Sequence, residues 1–240
     1  MKHQYFGDIN DFRKYGLLRQ LSNFGQITSS VCWMLTPDTA GNADGQKLAY
    51  LEQPHKYRHH DPALFDLLHE KVQRRGMRNV DTAYMPKILP HSWLFDELVP
   101  DDKAGRKLWF DRYLHKAYSS ELVFFDPDNG LEVPSVPFGA KDAPKYLYWQ
   151  EVQQAYAAGH SLLIYQHFPR VARNLFIPSL AARFREVTGS RDIQAFSTSH
   201  VVFFLVRQHS FPRFNLPECW KGQLSETLIA LDQPCKSDIE

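Results

Sequence analysis

Cysteine, net charge and long apolar runs are all scarce in this chain. Three cysteines in 240 residues (Cys32, Cys219 and Cys235) are too few and too scattered for a disulfide framework or a zinc module. Cys32 lies in an apolar, strand-like run and reads as a small core hydrophobe. The 28 basic residues against 27 acidic ones leave a formal charge of +1. No global field therefore draws the protein to nucleic acid, and any such binding needs a local patch. No stretch approaches the roughly 18 apolar residues of a membrane span, and MKHQYFGDIN holds no apolar signal core. No serine or cysteine nucleophile stands in an elbow or triad sequence, and no phosphate-binding P-loop is present. No repeat, low-complexity segment or Gly/Ser linker divides the chain. The expectation is a cytoplasmic globular protein with no membrane partner.

What is present is a large stock of core material, 43% hydrophobic residues with 14% aromatic, enough for one sizeable domain. Asp8–Phe24 reads as a helix with Phe12, Tyr15 and Leu18 at helical spacing and Asp8 or Asn10 as its N-cap. Val31–Leu35 reads as a first buried strand, followed by the polar turn TPDTAGNADG. Pro62–Arg75, Ala104–Tyr118, Tyr146–Ala158 and Arg173–Val187 read as further helices. Leu122–Phe125 and Ser161–Gln166 are short apolar runs of the kind found in strands buried on both faces. Ile193–Ser197 and Val201–Arg207 are separated by three residues, which predicts an antiparallel hairpin. Together these predict an α/β fold, a three-layer Rossmann-like sandwich with a mostly parallel sheet and a carboxyl-terminal antiparallel hairpin. Residues 1–208 form the single domain of this reading, and 209–240 a peripheral tail.

Three apolar strands end in polar clusters: TPDTAGNADG, DPDNG (Asp126–Gly130) and QHFPR (Gln166–Arg170). If the strands are parallel, the clusters open on one sheet edge, where ligands bind in open α/β sheets. His167 follows a buried strand at that edge and is a candidate proton acceptor or ligand contact. His55, His59 and His60 fall in HKYRHH, bracketed by Pro54 and Pro62, and read as a solvated segment. Basic groups occur locally, at Arg13, Lys14 and Arg19, from Lys71 to Arg78, and at Arg170 with Arg173. Such groups are the local patches through which a neutral protein contacts phosphates.

The order of elements, the opening helix GDINDFRKYGLLRQL, the turn LTPDTAGNADG and the FFDP of the middle strand resemble the class I S-adenosylmethionine-dependent methyltransferases. Within that superfamily the chain is similar to the large-subunit ribosomal RNA adenine-N6 methyltransferases and the three-cysteine-motif partner proteins. The resemblance spans roughly residues 5–207 and implies S-adenosylmethionine as cofactor and a nucleic-acid base amine as substrate. It implies that Asp126 accepts a hydrogen bond from the base amine, holding the nitrogen toward the methyl group. Pro127 would stiffen the turn, with Asn129 beside it in the catalytic motif. Thr36, Asp38, Gly41 and Gly45 fall at the cofactor loop. Lys14, Tyr15, His167 and Arg170 fall at substrate-facing positions. The family's second proline and stacking aromatic are replaced here by Asp128 and Asn129; Phe168, Tyr146, Tyr148 and Trp149 are the aromatic substitutes at hand.

Two other readings use the same residues. Asp126, Asp128 and Glu132, with Lys141 or Lys145, have the residue types of a metal-dependent nuclease. An EF-hand is excluded, because the glycine comes one position early and Pro137 stands where a bidentate glutamate is needed. The third reading is a non-catalytic nucleic-acid or protein binding module on the same fold.

Overall fold

The computed structural model describes residues 1–38, 45–84 and 87–229. Helix α1 (Ile9–Leu21) leads into β1 (Ser29–Cys32). Helices α2 (Pro54–Tyr57) and α3 (Pro62–Leu68) then precede β2 (Ser92–Phe95). Helix α4 (Lys103–Lys116) connects to β3 (Leu122–Phe125), and a two-stranded ribbon of β4 (Gly130–Leu131) and β5 (Tyr146–Leu147) follows. Helix α5 (Trp149–Ala157), β6 (Ser161–His167), α6 (Arg173–Thr188), β7 (Ile193–Ser197), β8 (Val201–Val206) and β9 (Ser225–Leu228) complete the order. Among the described residues no helix is long and apolar enough to cross a membrane.

The large sheet has seven strands in the order β2-β1-β3-β6-β8-β7-β9. Strands β2, β1, β3 and β6 are mutually parallel, and β8 inserts antiparallel between β6 and β7. The chain moves from β1 to one side, to β2, and then returns to the other side at β3. That reversal places a crevice at the carboxyl ends of β1 and β3.

Period-two alternation of the strands divides the core into two layers. Val31, Leu122, Phe124, Leu163, Phe203 and Leu205 face α1 and α3, whose Phe12, Tyr15, Leu18, Leu64 and Leu68 cover them. Cys32, Val123, Phe125, Ile164 and Phe204 face the opposite way, onto Trp109, Phe110 and Tyr113 of α4 and Val152, Ile177 and Phe184 of α5 and α6. Helices therefore cover both faces, as the apolar strand runs require.

Three expectations need correction. The first strand ends at Cys32 rather than Leu35, because Met34 has φ +45° and turns the chain away from the sheet. Residues 209–229 are no peripheral tail: β9 extends the sheet beside β7, and Trp220 is fully buried between Phe12 and His60. A Cβ on Gly16 would stand 2.0 Å from the Trp220 ring, so glycine there is what lets the tail dock on α1. Nor is HKYRHH wholly solvated; His55 and His59 are exposed, while His60 is buried with its Nδ1 against the Cys219 carbonyl.

Trp220→Ala is expected to lower the unfolding free energy by roughly 3–5 kcal/mol, the usual cost of emptying a large aromatic site. Chemical denaturation checks this, and a change under 1 kcal/mol would return residues 209–229 to the status of a tail.

Candidate functional site

Asp8 fixes the start of α1. Its carboxylate accepts from the backbone N–H of Asn10 (2.8 Å) and Asp11 (3.1 Å), the usual N-cap arrangement. One turn in, α1 presents Asp11 and Lys14 toward the end of β3, and all three acids of the cluster are buried. Lys14 Nζ lies 2.8 Å from Asp126 Oδ2 and 3.2 Å from Asp11 Oδ1. It also stands 4.6 Å over the Tyr165 ring of β6. Burial works against this ammonium, yet Asp126 and Asp11 outweigh it and hold its pKa well above the ordinary lysine value.

Asp11 Oδ2 accepts from the Gly7 N–H at 2.9 Å and from the Tyr15 hydroxyl at 3.2 Å. Burial nevertheless pushes the Asp11 carboxyl up to about 7, with Lys14 opposing and Asp8 and Asp126 adding to the rise. Asp8 is also raised, first by burial, against Lys14 and its two backbone donors. His167 is lowered, by desolvation and by the Lys14 charge.

The turn after β3 is rigid. Gly130 has φ +100°, and a Cβ there would meet the Gln166 side chain at 2.4 Å. Gln166 in turn accepts from the Leu131 N–H at 2.7 Å and donates to the His167 carbonyl at 2.7 Å. The Asn129 N–H donates to the Lys145 carbonyl at 2.9 Å. Asp128 pairs with the Met1 amino group at 2.7 Å and accepts from the Thr36 hydroxyl. These contacts outweigh burial and keep its carboxyl below the usual range. The same amino group donates to the carbonyls of Asp126 (3.1 Å) and Met34 (3.2 Å), so Met1 lies across the ends of β1 and β3.

A cavity of about 510 Å³ opens above this network. Asp8, Asp11 and Lys14 line one side, Gly45 and Lys47 a second, and Asp128, Asn129, Tyr165 and His167 the rest, with the Tyr5 ring beside them. Helix α1, the loop after β1, the turn after β3 and β6 thus converge where the strand-end pattern placed a crevice.

The residues singled out in the sequence divide as follows. Lys14, Asn129, Gly45 and His167 line the cavity. Asp126 lies beneath it, held by Lys14, with Pro127 buried next to it. Tyr15 is in the core against Phe6 and Trp33, so it supports Asp11 instead of facing a substrate. Thr36 is buried against Asp128, and Asp38 is exposed, accepting from the Gln4 N–H at 3.4 Å. Gly41 lies outside the described residues. Arg170 is exposed just past His167 at the sheet edge. Glu132 is elsewhere, lining a separate cavity with Tyr148, Trp149 and Arg183, so the three acids of the nuclease reading are not brought together. Among the described residues no group of three or more histidines, cysteines or acids is arranged to hold a metal ion.

Tyr5, Asp8, Asp11, Lys47 and Tyr165 were missed as site residues. A signal existed for two of them: Asp8 and Asp11 stand six and three positions before Lys14 at a helix start. Tyr165 carried a weaker one, as the polar-tipped aromatic in the otherwise aliphatic SLLIYQ. No protein-family model matches this chain, and no curated protein matches it.

The charge network yields two expected outcomes. Lys14→Met strands buried carboxylates and should cost about 3–5 kcal/mol, part of which returns on adding Asp126→Asn. Urea unfolding of the two singles and the double measures this, and simple additivity would deny the pairing. The second concerns pH. With Asp11 at about 7 folded against an ordinary 3.8, folding takes up a proton between those values. Stability from this group therefore falls as pH rises through that window. Asp11→Asn should flatten the decline of Tm from pH 4 to 7; an equally steep decline in the variant would contradict the assignment.

Proposed function

We propose that this protein is an S-adenosylmethionine-dependent methyltransferase acting on a nucleic-acid base amine. The observation that carries the reading is the cavity itself, which sits over the ends of β3 and β6 beside the loop after β1. The sheet order supports it, because the antiparallel β8 lies between β6 and β7 as in the methyltransferase-type sandwich that the chain resembles.

The donor set suits the cofactor. A methyl sulfonium donor is cationic, and the cavity wall carries the carboxyl groups of Asp8, Asp11 and Asp128 beside Lys14 and Lys47, Asp128 being already paired with the Met1 amino group. Gly45, Gln46 and Asp128 would hold it, and when bound it supplies a methyl group on a positively charged sulfur.

The chain's own residues supply positioning and charge. Lys14 neutralises Asp126 and locks it to α1, so the turn Asp126-Pro127-Asp128-Asn129 keeps one shape. Gln166 and Lys145 hold that turn from the other side. A pre-shaped turn of this kind lowers the cost of orienting a base nitrogen for attack. Arg170, with Arg173 over the Phe168 ring at 4.9 Å, provides a basic lip for the phosphate backbone next to His167.

The binding-module reading is favoured by one observation, the Met1 amino group and Lys14 occupying polar positions at the crevice floor. Calorimetry separates the two. S-adenosylhomocysteine should bind, with RNA or DNA added if required, and Arg170→Glu should weaken nucleic-acid binding while lowering its salt slope by about 1. The absence of heat from S-adenosylmethionine and S-adenosylhomocysteine with both nucleic acids present would sink the methyltransferase and leave the binding module.

A further inference from the structure

The cavity holds two polar groups whose capacity the protein leaves unused. Tyr165 is only 4% exposed and lines the cavity. Its ring is packed on Phe203 at 5.5 Å and His167 at 5.0 Å, and Lys14 sits over its face. Its hydroxyl, by contrast, receives no hydrogen bond from any described residue and gives none, while Lys14, Asp126, Asp8 and Asp11 are the charges that act on it. The hydroxyl oxygen is not among the buried polar atoms that lack a partner, so it opens on the cavity, where a ligand group can replace water. Burial raises the pKa of this phenol, so it stays protonated and can donate.

Asp8 faces the same space. One of its oxygens, Oδ1, carries both cap bonds, and among the described residues Oδ2 has no hydrogen-bond partner. Asp8 and Tyr165 are close enough for the acid's charge to act on the phenol. The cavity thus offers one carboxylate acceptor and one hydroxyl donor. Asp126, which the resemblance assigns to the amine, lies below Lys14 and outside this lining.

We propose that Asp8 and Tyr165 form the recognition edge of the cavity, reading a nucleobase that carries an amino group next to a ring nitrogen. Asp8 accepts from the amine N–H, and the Tyr165 hydroxyl donates to the ring nitrogen. Adenine and cytosine present that edge; hypoxanthine and uracil present a carbonyl and a ring N–H in its place, so the Asp8 carboxylate faces a carbonyl and the Tyr165 hydroxyl must turn from donor to acceptor. This assignment rests on the base-amine reading above and places the amine on Asp8 in preference to Asp126.

Two conservative variants test it on the full chain. Tyr165→Phe keeps the ring and its packing and removes only the hydroxyl. Asp8→Asn keeps an N-cap oxygen for α1 and removes the charge. Adenosine, cytidine, inosine and uridine are titrated calorimetrically into each protein, with S-adenosylhomocysteine held in excess to fill the cofactor side. The wild type should prefer adenosine or cytidine to its oxo counterpart, and each variant should lose about tenfold of that preference. Which amino nucleoside binds identifies the base. Equal binding of amino and oxo nucleosides, no binding of any of them, or a preference that survives both variants overturns the proposal. S-adenosylhomocysteine is titrated separately. If it fails to bind while the Tyr165-dependent preference persists, the methyltransferase reading falls and the recognition edge stands.

Discussion

A lysine ammonium almost out of reach of water needs every one of its partners, and Lys14 sets the position of much that surrounds it. Asp126 ends β3, Asp11 lies one turn earlier on α1, and the Tyr165 ring closes the third side from β6. Moving any of these elements by an ångström or two would leave a charge uncompensated in a low-dielectric interior. A buried pair of this kind adds little net stability compared with a well-packed apolar one, but it penalises misplacement heavily. Its effect is to hold α1 against the open ends of β3 and β6. The helix begins at Asp8, whose side chain caps it and also lines the cavity.

The turn after β3 is held by a second set of contacts that shares no side chain with the first. Gln166 fills the space that only a glycine at 130 leaves, and it bonds to the backbone on both sides. Further out, Arg106 of α4 is fully buried, pairs with Glu151 at 2.8 Å, and donates to the carbonyls of Ala143 and Tyr146. It thereby fastens the long loop before α5 to the layer beneath it. Backbone N–H and C=O groups of a buried loop must be satisfied somewhere, and this arginine satisfies two of them at one point. The irregular chain between β3 and α5 is thus tied to the layer beneath it by side-chain bonds to its backbone.

Period and composition made much of the architecture legible. The runs Leu122–Phe125 and Ser161–Gln166 are too short and too apolar for exposed strands, and the three-residue gap before Val201 demanded a hairpin; all three predictions match the sheet. What escaped detection was what alternation cannot encode. Strands β4 and β5 are two residues each, and β9 carries Ser225 and Glu226, with no apolar run to mark it. The docking of Trp220 on Gly16 joins positions more than two hundred residues apart, and neither residue signals the other. In the site, the strand-end clusters located the crevice correctly. They did not reveal depth: Asp126 and Tyr15 are below the cavity floor, while Asp8 and Tyr165, read as a cap and a strand residue, line it.

Depth also bears on positions 128 and 129, where on the proposed reading a methyltransferase turn would carry a proline and an aromatic. A second proline at position 128 would stiffen the turn but could make no ion pair. Asp128 stiffens it differently, through the Met1 amino group and the Thr36 hydroxyl, which tie the turn to the chain leaving β1. An aromatic at 129 would have to project from a loop, with its ring held only by that loop. Tyr165 is instead anchored in a central strand, braced by Phe203 and His167. On the proposed reading, hydrogen bonding to the base has moved from the turn to elements whose positions the sheet and the Lys14 pair already fix. Asn129 is then left at the exposed rim, where the demand is for a residue that tolerates a tight turn, and asparagine meets it.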